Sequence, residues 1–207
     1  MHNEAIDERT KRVWDKIAKS GIAGPFYLAG GTALAVHLGH RKSIDLDFFS
    51  QEDFSTPEIK RQLSQIAKIV LLGEADGTLH VTVDLVMVSF LHYRYGLLYP
   101  PIMFEGLAIA DKRDIAAMKL DAVSSRGSRK DFIDIYELLK QHTLAELIDF
   151  FEKKYAGIKY NMLHILKSLV YFDDADGEPP PMMLHDVNWD DVKQSIIQAV
   201  SAFSEER

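Results

Sequence analysis

Asp45 and Asp47 stand in the stretch Ile44-Asp45-Leu46-Asp47-Phe48-Phe49, which alternates with period two. On a strand, both aspartates project from one side, while Ile44, Leu46 and Phe48 face the other. Carboxylates this close repel, and one would stay protonated unless a cation lies between them. Mg²⁺ removes the conflict, because it takes oxygen ligands and keeps positions open for phosphate; Mn²⁺ is the alternative ion. Upstream stands Gly30-Gly31-Thr32, just before the helix-forming Ala33, Leu34, Val36 and Leu38. Glycines let backbone approach a ligand closely, and the N–H groups that open a helix favour anions. The chemistry expected is a nucleoside triphosphate cradled by Gly30, Gly31 and Thr32, with metal held by Asp45 and Asp47.

Asp84 is the natural third carboxylate. Leu79 to Val88 reads as one long apolar, β-branched strand, buried on both faces, with Asp84 as its single charge. Beside the Asp45/Asp47 strand it would complete the metal set and could accept the proton of an attacking hydroxyl. The plainer reading is an end-of-strand aspartate facing water; the Gly-Gly-Thr and Asp-Leu-Asp motifs favour the metal. Lys119 lies mid-helix on the side of Ile115 and Ala122, where it must snorkel or meet an acid or a phosphate.

The elements that must position these groups follow from pattern. A first helix over 4–20 carries Val13, Trp14 and Ile17 on one face, and Phe26-Tyr27-Leu28 is a short strand feeding the glycine turn. Gly39 can end the second helix in a left-handed conformation. Ser55 and Glu58 have capping-box spacing around Pro57, opening a helix with Ile59, Leu63 and Ile66. A strand from Ile69, the hairpin turn Asp76-Gly77 and the Leu79–Val88 strand follow. Tyr93 to Leu107 reads as strand and loop. From Asp111 onward the pattern is helical, with stripes of Ile115, Met118 and Ala122, of Phe132, Ile135, Tyr136 and Leu139, and of Leu144, Leu147, Ile148 and Phe151. A helix over 161–171, a polar loop from Asp173 to Pro181 and a terminal helix after Asn188 complete the chain.

Several of these motifs together resemble one family. LAGGTALAVHLGHRKSIDLDFFS, VDLV, DIAAMKLDAVSSRGSRKDFIDIYELL and YFDDADGEPPPMML are similar to the AbiEii/AbiGii toxin family of nucleotidyltransferases, within the polymerase-β-like superfamily. The resemblance covers residues 25–185. It implies an α+β fold: a mixed sheet flanked by helices over 1–110, then a helical C-terminal region over 111–207 packed on that core. It implies that Lys119 contacts the nucleotide phosphates, that the connection carrying Arg126 and Arg129-Lys130 faces the cleft, and that Asp131 is a functional acid. Asp134, one turn along, is a secondary candidate; aspartates at a helix N-terminus are also favourable for electrostatic reasons alone. The catalytic set expected is Asp45, Asp47, Asp84, Lys119 and Asp131, with Arg41 and Arg126 joining Gly30, Gly31, Thr32 and Lys119 around the nucleotide.

Composition narrows the rest. The 207 residues carry a net charge of −7 and no cysteine, which excludes disulfides, zinc–thiolate sites and thiol catalysis. Whole-protein attraction to nucleic acid is not expected, yet Arg41-Lys42, Lys112-Arg113 and Arg126 to Lys130 are local basic clusters suited to a nucleotide or an RNA end. No apolar run spans a bilayer and no leader opens the chain, so a cytoplasmic protein with no membrane partner is the default. His37 and His40 lack a third ligand at metal spacing, Ser124-Ser125 lacks a triad, and neither GxGxxG nor a P-loop occurs.

The expected activity is transfer of a nucleoside monophosphate from a triphosphate to a hydroxyl, and the resemblance implies RNA, the tRNA 3′ end in particular, as preferred acceptor. The resemblance adds a bacterial toxin–antitoxin or phage-defence role with a cognate antitoxin. Transfer to a protein or small molecule, and a catalytically silent binding module, remain alternatives.

Overall fold

β1 (Tyr27–Ala29) and β2 (Leu46–Ser50) pair antiparallel, with Ala29 opposite Asp47. Around them a computed structural model, which describes residues 1–205, builds one seven-stranded mixed sheet. Its other strands are β3 (Ile69–Ala75), β4 (Thr78–Val83), β5 (Val86–His92), β6 (Ile102–Phe104) and β7 (Leu107–Ile109). The strand order is β3-β4-β5-β2-β1-β7-β6, and the β2–β5 and β1–β7 pairings are parallel. The sheet belongs to the first of two compact units, Met1–Asp111 and Lys112–Arg207.

Strand alternation decides which face is buried. On β2, Leu46, Phe48 and Ser50 are buried while Asp47 and Phe49 are half-buried. Register carries that division across the sheet. Val88 and Phe90 of β5 and Leu79, Val81 and Val83 of β4 join the buried face, and the Phe48 and Phe90 rings stack at 5.1 Å. Two helices carry the apolar stripes expected of them: α1 (Glu8–Ser20), with Val13, Trp14 and Ile17 buried, and α3 (Thr56–Ile66), with Ile59 and Leu63 buried. The Ser55 side chain caps α3 by accepting from the Glu58 N–H, but the Glu58 carboxylate turns to Arg61 and Gln62, so only half of the capping box forms. Between β1 and β2 lies α2 (Gly30–Leu38), closed by Gly39 at φ +66, whose N–H donates to the Ala35 carbonyl.

Two expectations are corrected here, and the strand-and-loop reading of Tyr93 to Leu107 gains its detail. The Leu79–Val88 strand is broken by a two-residue turn at Asp84 and Leu85, with φ of +49° and +70°. Both central residues of such a turn take positive φ, a geometry usually announced by Asn-Gly or Asp-Gly, and Asp-Leu gives no such signal. Ile44 does not join the buried face: it precedes β2 and is 58% exposed. The Tyr93–Leu107 segment ends in the hairpin β6–β7, again turning on two positive-φ residues, Glu105 and Gly106.

The second unit is helical: α4 (Lys112–Ser125), α5 (Arg129–Leu139), α6 (Leu144–Lys154), α7 (Met162–Leu169), the short α8 (Asp173–Asp176) and α9 (Trp189–Glu205). α8 forms where a loop was expected, and Asp176 accepts from the Trp189 indole N–H and from Lys193. α4 buries Asp114, Ile115, Ala116, Ala117, Lys119, Leu120 and Val123, more of its circumference than the expected stripe, whose Met118 and Ala122 are only half-buried. Among the described residues no helix is long and apolar enough to cross a membrane.

Candidate active site

The glycine turn leaves β1 beside the Asp47 carboxylate, because Ala29 pairs with Asp47. Gly30 has φ +70, which glycine adopts freely and other residues do not. A Cβ on Gly30 would lie 3.1 Å from Asp47 Oδ2, and one on Gly31 would lie 2.5 Å from an Arg41 guanidinium nitrogen. The two glycines therefore let a carboxylate and a guanidinium approach the backbone more closely than any side chain there would allow. The first N–H groups of α2 open at the same place, adding partial positive charge.

Three further contacts fix this corner. The Thr32 hydroxyl donates to the Asp45 carbonyl and shares a 2.8 Å hydrogen bond with the Ser43 hydroxyl. The Ser43 N–H donates to the Ala5 carbonyl at 2.8 Å, tying the segment before β2 to the N-terminal residues. Arg41 is 3% exposed and donates to the Lys42 carbonyl at 3.2 Å. Thr32 thus differs from its expected role. Its side chain is buried and holds the Asp45 segment in place, leaving its backbone as the part available to an anion. The structure brings together Gly30, Gly31, Thr32, Arg41, Asp45 and Asp47.

Asp84 is not among them. It lies in the β4–β5 turn, where Oδ2 accepts from Lys16 Nζ at 2.7 Å and Oδ1 from the Lys68 N–H at 3.3 Å. The Lys16 ammonium holds the Asp84 carboxyl below its usual range. The long buried strand that made Asp84 conspicuous does not exist; the residue is a turn aspartate, as the plainer reading had it. Among the described residues no three His, Cys, Asp or Glu side chains are grouped to hold a metal. A divalent cation still fits the half-exposed Asp45 and Asp47, since Mg²⁺ commonly takes one or two protein carboxylates and completes its shell with water and substrate phosphate. The position opposite Asp47 on β5 is held by Ser89, which hydrogen-bonds His80 on β4 at 3.0 Å. Sequence reading passed over both, because their meaning depends on register between strands far apart in the chain.

Lys119, Asp131 and Asp134 come together inside the second unit. Lys119 Nζ lies 2.7 Å from Asp131 Oδ1 and 2.5 Å from Asp134 Oδ2, and both carboxylates are fully buried. Arg126, 65% exposed, reaches Asp131 Oδ2 at 3.3 Å, and the Ser128 hydroxyl donates to the same oxygen at 2.5 Å. Burial pushes the Asp131 carboxyl up, but the Lys119 charge and the hydrogen bonds from Lys119 and Ser128 outweigh it, leaving Asp131 below its usual range. Of the partners that the sequence allowed Lys119, the structure supplies the acid: its ammonium compensates two buried carboxylates. A second buried pair, Lys154 with Asp114 at 2.7 Å, joins α6 to α4.

Residues 12–96 match the model of a family described as the nucleotidyl transferase AbiEii toxin of type IV toxin–antitoxin systems. An uncharacterized protein from Aquifex aeolicus, aq_aa25, is 36% identical over 97% of this chain and 98% of its own length. Among solved structures, JHP933 from Helicobacter pylori superposes with a TM-score of 0.58 at 15% identity, over 97% of this chain and 94% of that one. MenT4, a nucleotidyltransferase toxin from Mycobacterium tuberculosis, gives 0.57 at 13% identity, over 91% and 83%. At these identities the two structures speak to the fold.

Proposed function

The chain belongs to the AbiEii family of nucleotidyltransferase toxins, and from that premise we propose that it transfers a nucleoside monophosphate from a nucleoside triphosphate to a hydroxyl of RNA, the 3′ end of tRNA being the preferred acceptor. Its setting would be a bacterial toxin–antitoxin pair used against phage, with a cognate antitoxin as partner. The observation that carries the reading is the close approach of the Asp47 carboxylate and the Arg41 guanidinium to the Gly30-Gly31 backbone at the start of α2. It offers a triphosphate what such a ligand needs: backbone approach, N–H donors and a cation.

In the reaction, the acceptor oxygen bonds the α-phosphorus and the bond from that phosphorus to the pyrophosphate oxygen breaks. The electron pair leaves with pyrophosphate, and the hydroxyl proton passes to solvent. Mg²⁺ bound by Asp45 and Asp47 would neutralise phosphate charge and polarise the reacting oxygens. The chain's own residues do the positioning: the start of α2 orients the triphosphate, Arg41 offsets its charge, and the Thr32–Asp45 bond keeps the aspartate strand beside it. The reading rests on the first unit alone.

The test is incubation of the protein with MgCl₂, each α-labelled triphosphate in turn, and total RNA or cell protein. Label on RNA is expected, abolished by EDTA and restored by excess Mg²⁺ or Mn²⁺. Label on protein alone would replace the acceptor. No label on any substrate would overturn transferase activity and leave a binding module.

A further inference from the structure

The face of the sheet that carries Asp47 also carries a polar row with no role so far. Strand register sets Ala29, Asp47, Ser89, His80 and Gly73 side by side across β1, β2, β5, β4 and β3. Asp47, Ser89 and His80 point to the same face, opposite the buried Leu46, Val88 and Val81. Ser89 is 3% exposed, and its hydroxyl meets His80 Nδ1 at 3.0 Å. That bond orients the imidazole with Nδ1 toward β5 and Cδ2 toward Gly73 on β3, and leaves Nε2 as the ring nitrogen that Ser89 does not engage. Gly73, at a bulge in β3, leaves the His80 ring uncrowded: a Cβ there would still be 3.8 Å from its nearest ring carbon.

Which side of Asp47 the row occupies gives it meaning. The Gly30–Gly31 cradle lies on the β1 side of Asp47, so the triphosphate tail and the departing pyrophosphate belong there. Displacement at phosphorus is roughly in line, so the attacking hydroxyl must enter from the other side. On this sheet that side is β5 and β4, where Ser89 and then His80 stand at the Asp47 register. Adjacent strands are about 4.8 Å apart, so His80, two strands from Asp47, stands roughly 10 Å across the sheet from it, within the span of an acceptor nucleotide whose hydroxyl lies over Asp47. One step further along the strands, Phe49 is half-buried on this same face, and its ring meets Tyr93 at 5.5 Å. Arg94 follows, over the ring of Tyr95 at 5.0 Å. Half-exposed rings with an arginine beside them suit the unstacked bases of a single-stranded RNA end.

We propose that His80, held by Ser89, is the acceptor-side contact of the transferase: its Nε2 edge hydrogen-bonds the terminal ribose of a single-stranded RNA end and positions the attacking hydroxyl over Asp47. His80 touches the acceptor; Ser89 acts through it as a positioning residue. The inference rests on the transferase reading above and adds the side from which substrate enters.

Water needs no such guidance, and that separates positioning from structure. Three quantities are read on wild type, His80→Ala, His80→Gln and Ser89→Ala: label transferred from α-labelled triphosphates to total tRNA with MgCl₂, slow release of monophosphate without RNA, and affinity for a non-hydrolysable triphosphate. His80→Ala should lower kcat/KM for tRNA about tenfold or more, with hydrolysis and nucleotide affinity within about twofold of wild type. Ser89→Ala should fall between, and His80→Gln, which keeps a hydrogen-bonding group near the Nε2 position, should recover part of the loss. Equal transfer by wild type and His80→Ala overturns the inference alone. A parallel fall in transfer, hydrolysis and nucleotide affinity overturns it in favour of a structural role. A wild type that labels no RNA overturns the transferase reading, and the inference with it.

Discussion

The protein concentrates charge in two places and treats it in opposite ways. Around Gly30, Asp45 and Asp47 stay half-exposed, and the Asp47 carboxylate lies so near the Gly30 backbone that a methyl group there would crowd it. In the helical unit, Asp131, Asp134 and Asp114 are fully buried and each is matched by a lysine at 2.5–2.7 Å. A buried charge is tolerable only when compensated, so the second arrangement is spent on its own neutralisation. The first leaves Asp45 and Asp47 half-exposed at the surface. Motifs that read alike in sequence, acids near basic residues, thus separate into a half-exposed group and a buried, mutually compensated one.

That comparison can be broken most directly by exchanging the expected effects. Asp47→Asn should reduce nucleotide transfer by at least about 100-fold, while thermal and urea unfolding stay level, or shift slightly upward if the Asp45 and Asp47 carboxylates repel. Marked loss of stability would put Asp47 in the structural class. Lys119→Ala should do the reverse. It leaves Asp131 and Asp134 buried with less compensation, at a cost of about 3–5 kcal/mol in urea unfolding. A folded Lys119→Ala protein of wild-type stability and weakened triphosphate affinity would return Lys119 to the nucleotide.

Acid sharpens the same contrast. Burial raises the Asp131 carboxyl, but Lys119 and Ser128 hold it below its unfolded value. A depressed carboxyl contributes stability that is complete above the unfolded pKa and disappears as pH falls through the lower folded value. The loss therefore belongs below about pH 4. Melting curves from pH 7 to 3 should steepen there for wild type and flatten for Asp131→Asn; identical slopes would remove the Lys119 knot as the cause. The smallest effect is expected from Asp84→Asn. Its Lys16 partner is 43% exposed, so the pair contributes less than about 1 kcal/mol, and transfer should stay near wild type. Abolished transfer in a stable Asp84→Asn protein would restore a third carboxylate to the site.

What the sequence determined by itself was local. The alternation of Leu46 to Ser50, the Ser55 cap, the Asp76-Gly77 turn and the left-handed Gly39 are each decided by residues within a turn or two of one another, and all four form. The Gly30–Asp47 juxtaposition was also legible, because one short helix and one hairpin-like pairing suffice to make it. Tertiary structure decided the rest. Asp84 left the expected site because a turn without glycine was bent by pairing of the strands on either side. Ser89 and His80 gained a place beside Asp47 only through register, which slips every side chain to the other face if it moves by one residue. Lys119 found its acids on a different helix, and burial made it their counter-ion. Propensities and caps act over a few residues, whereas pairing and burial act across the chain; the first are written in order, and the second exist only once it has folded.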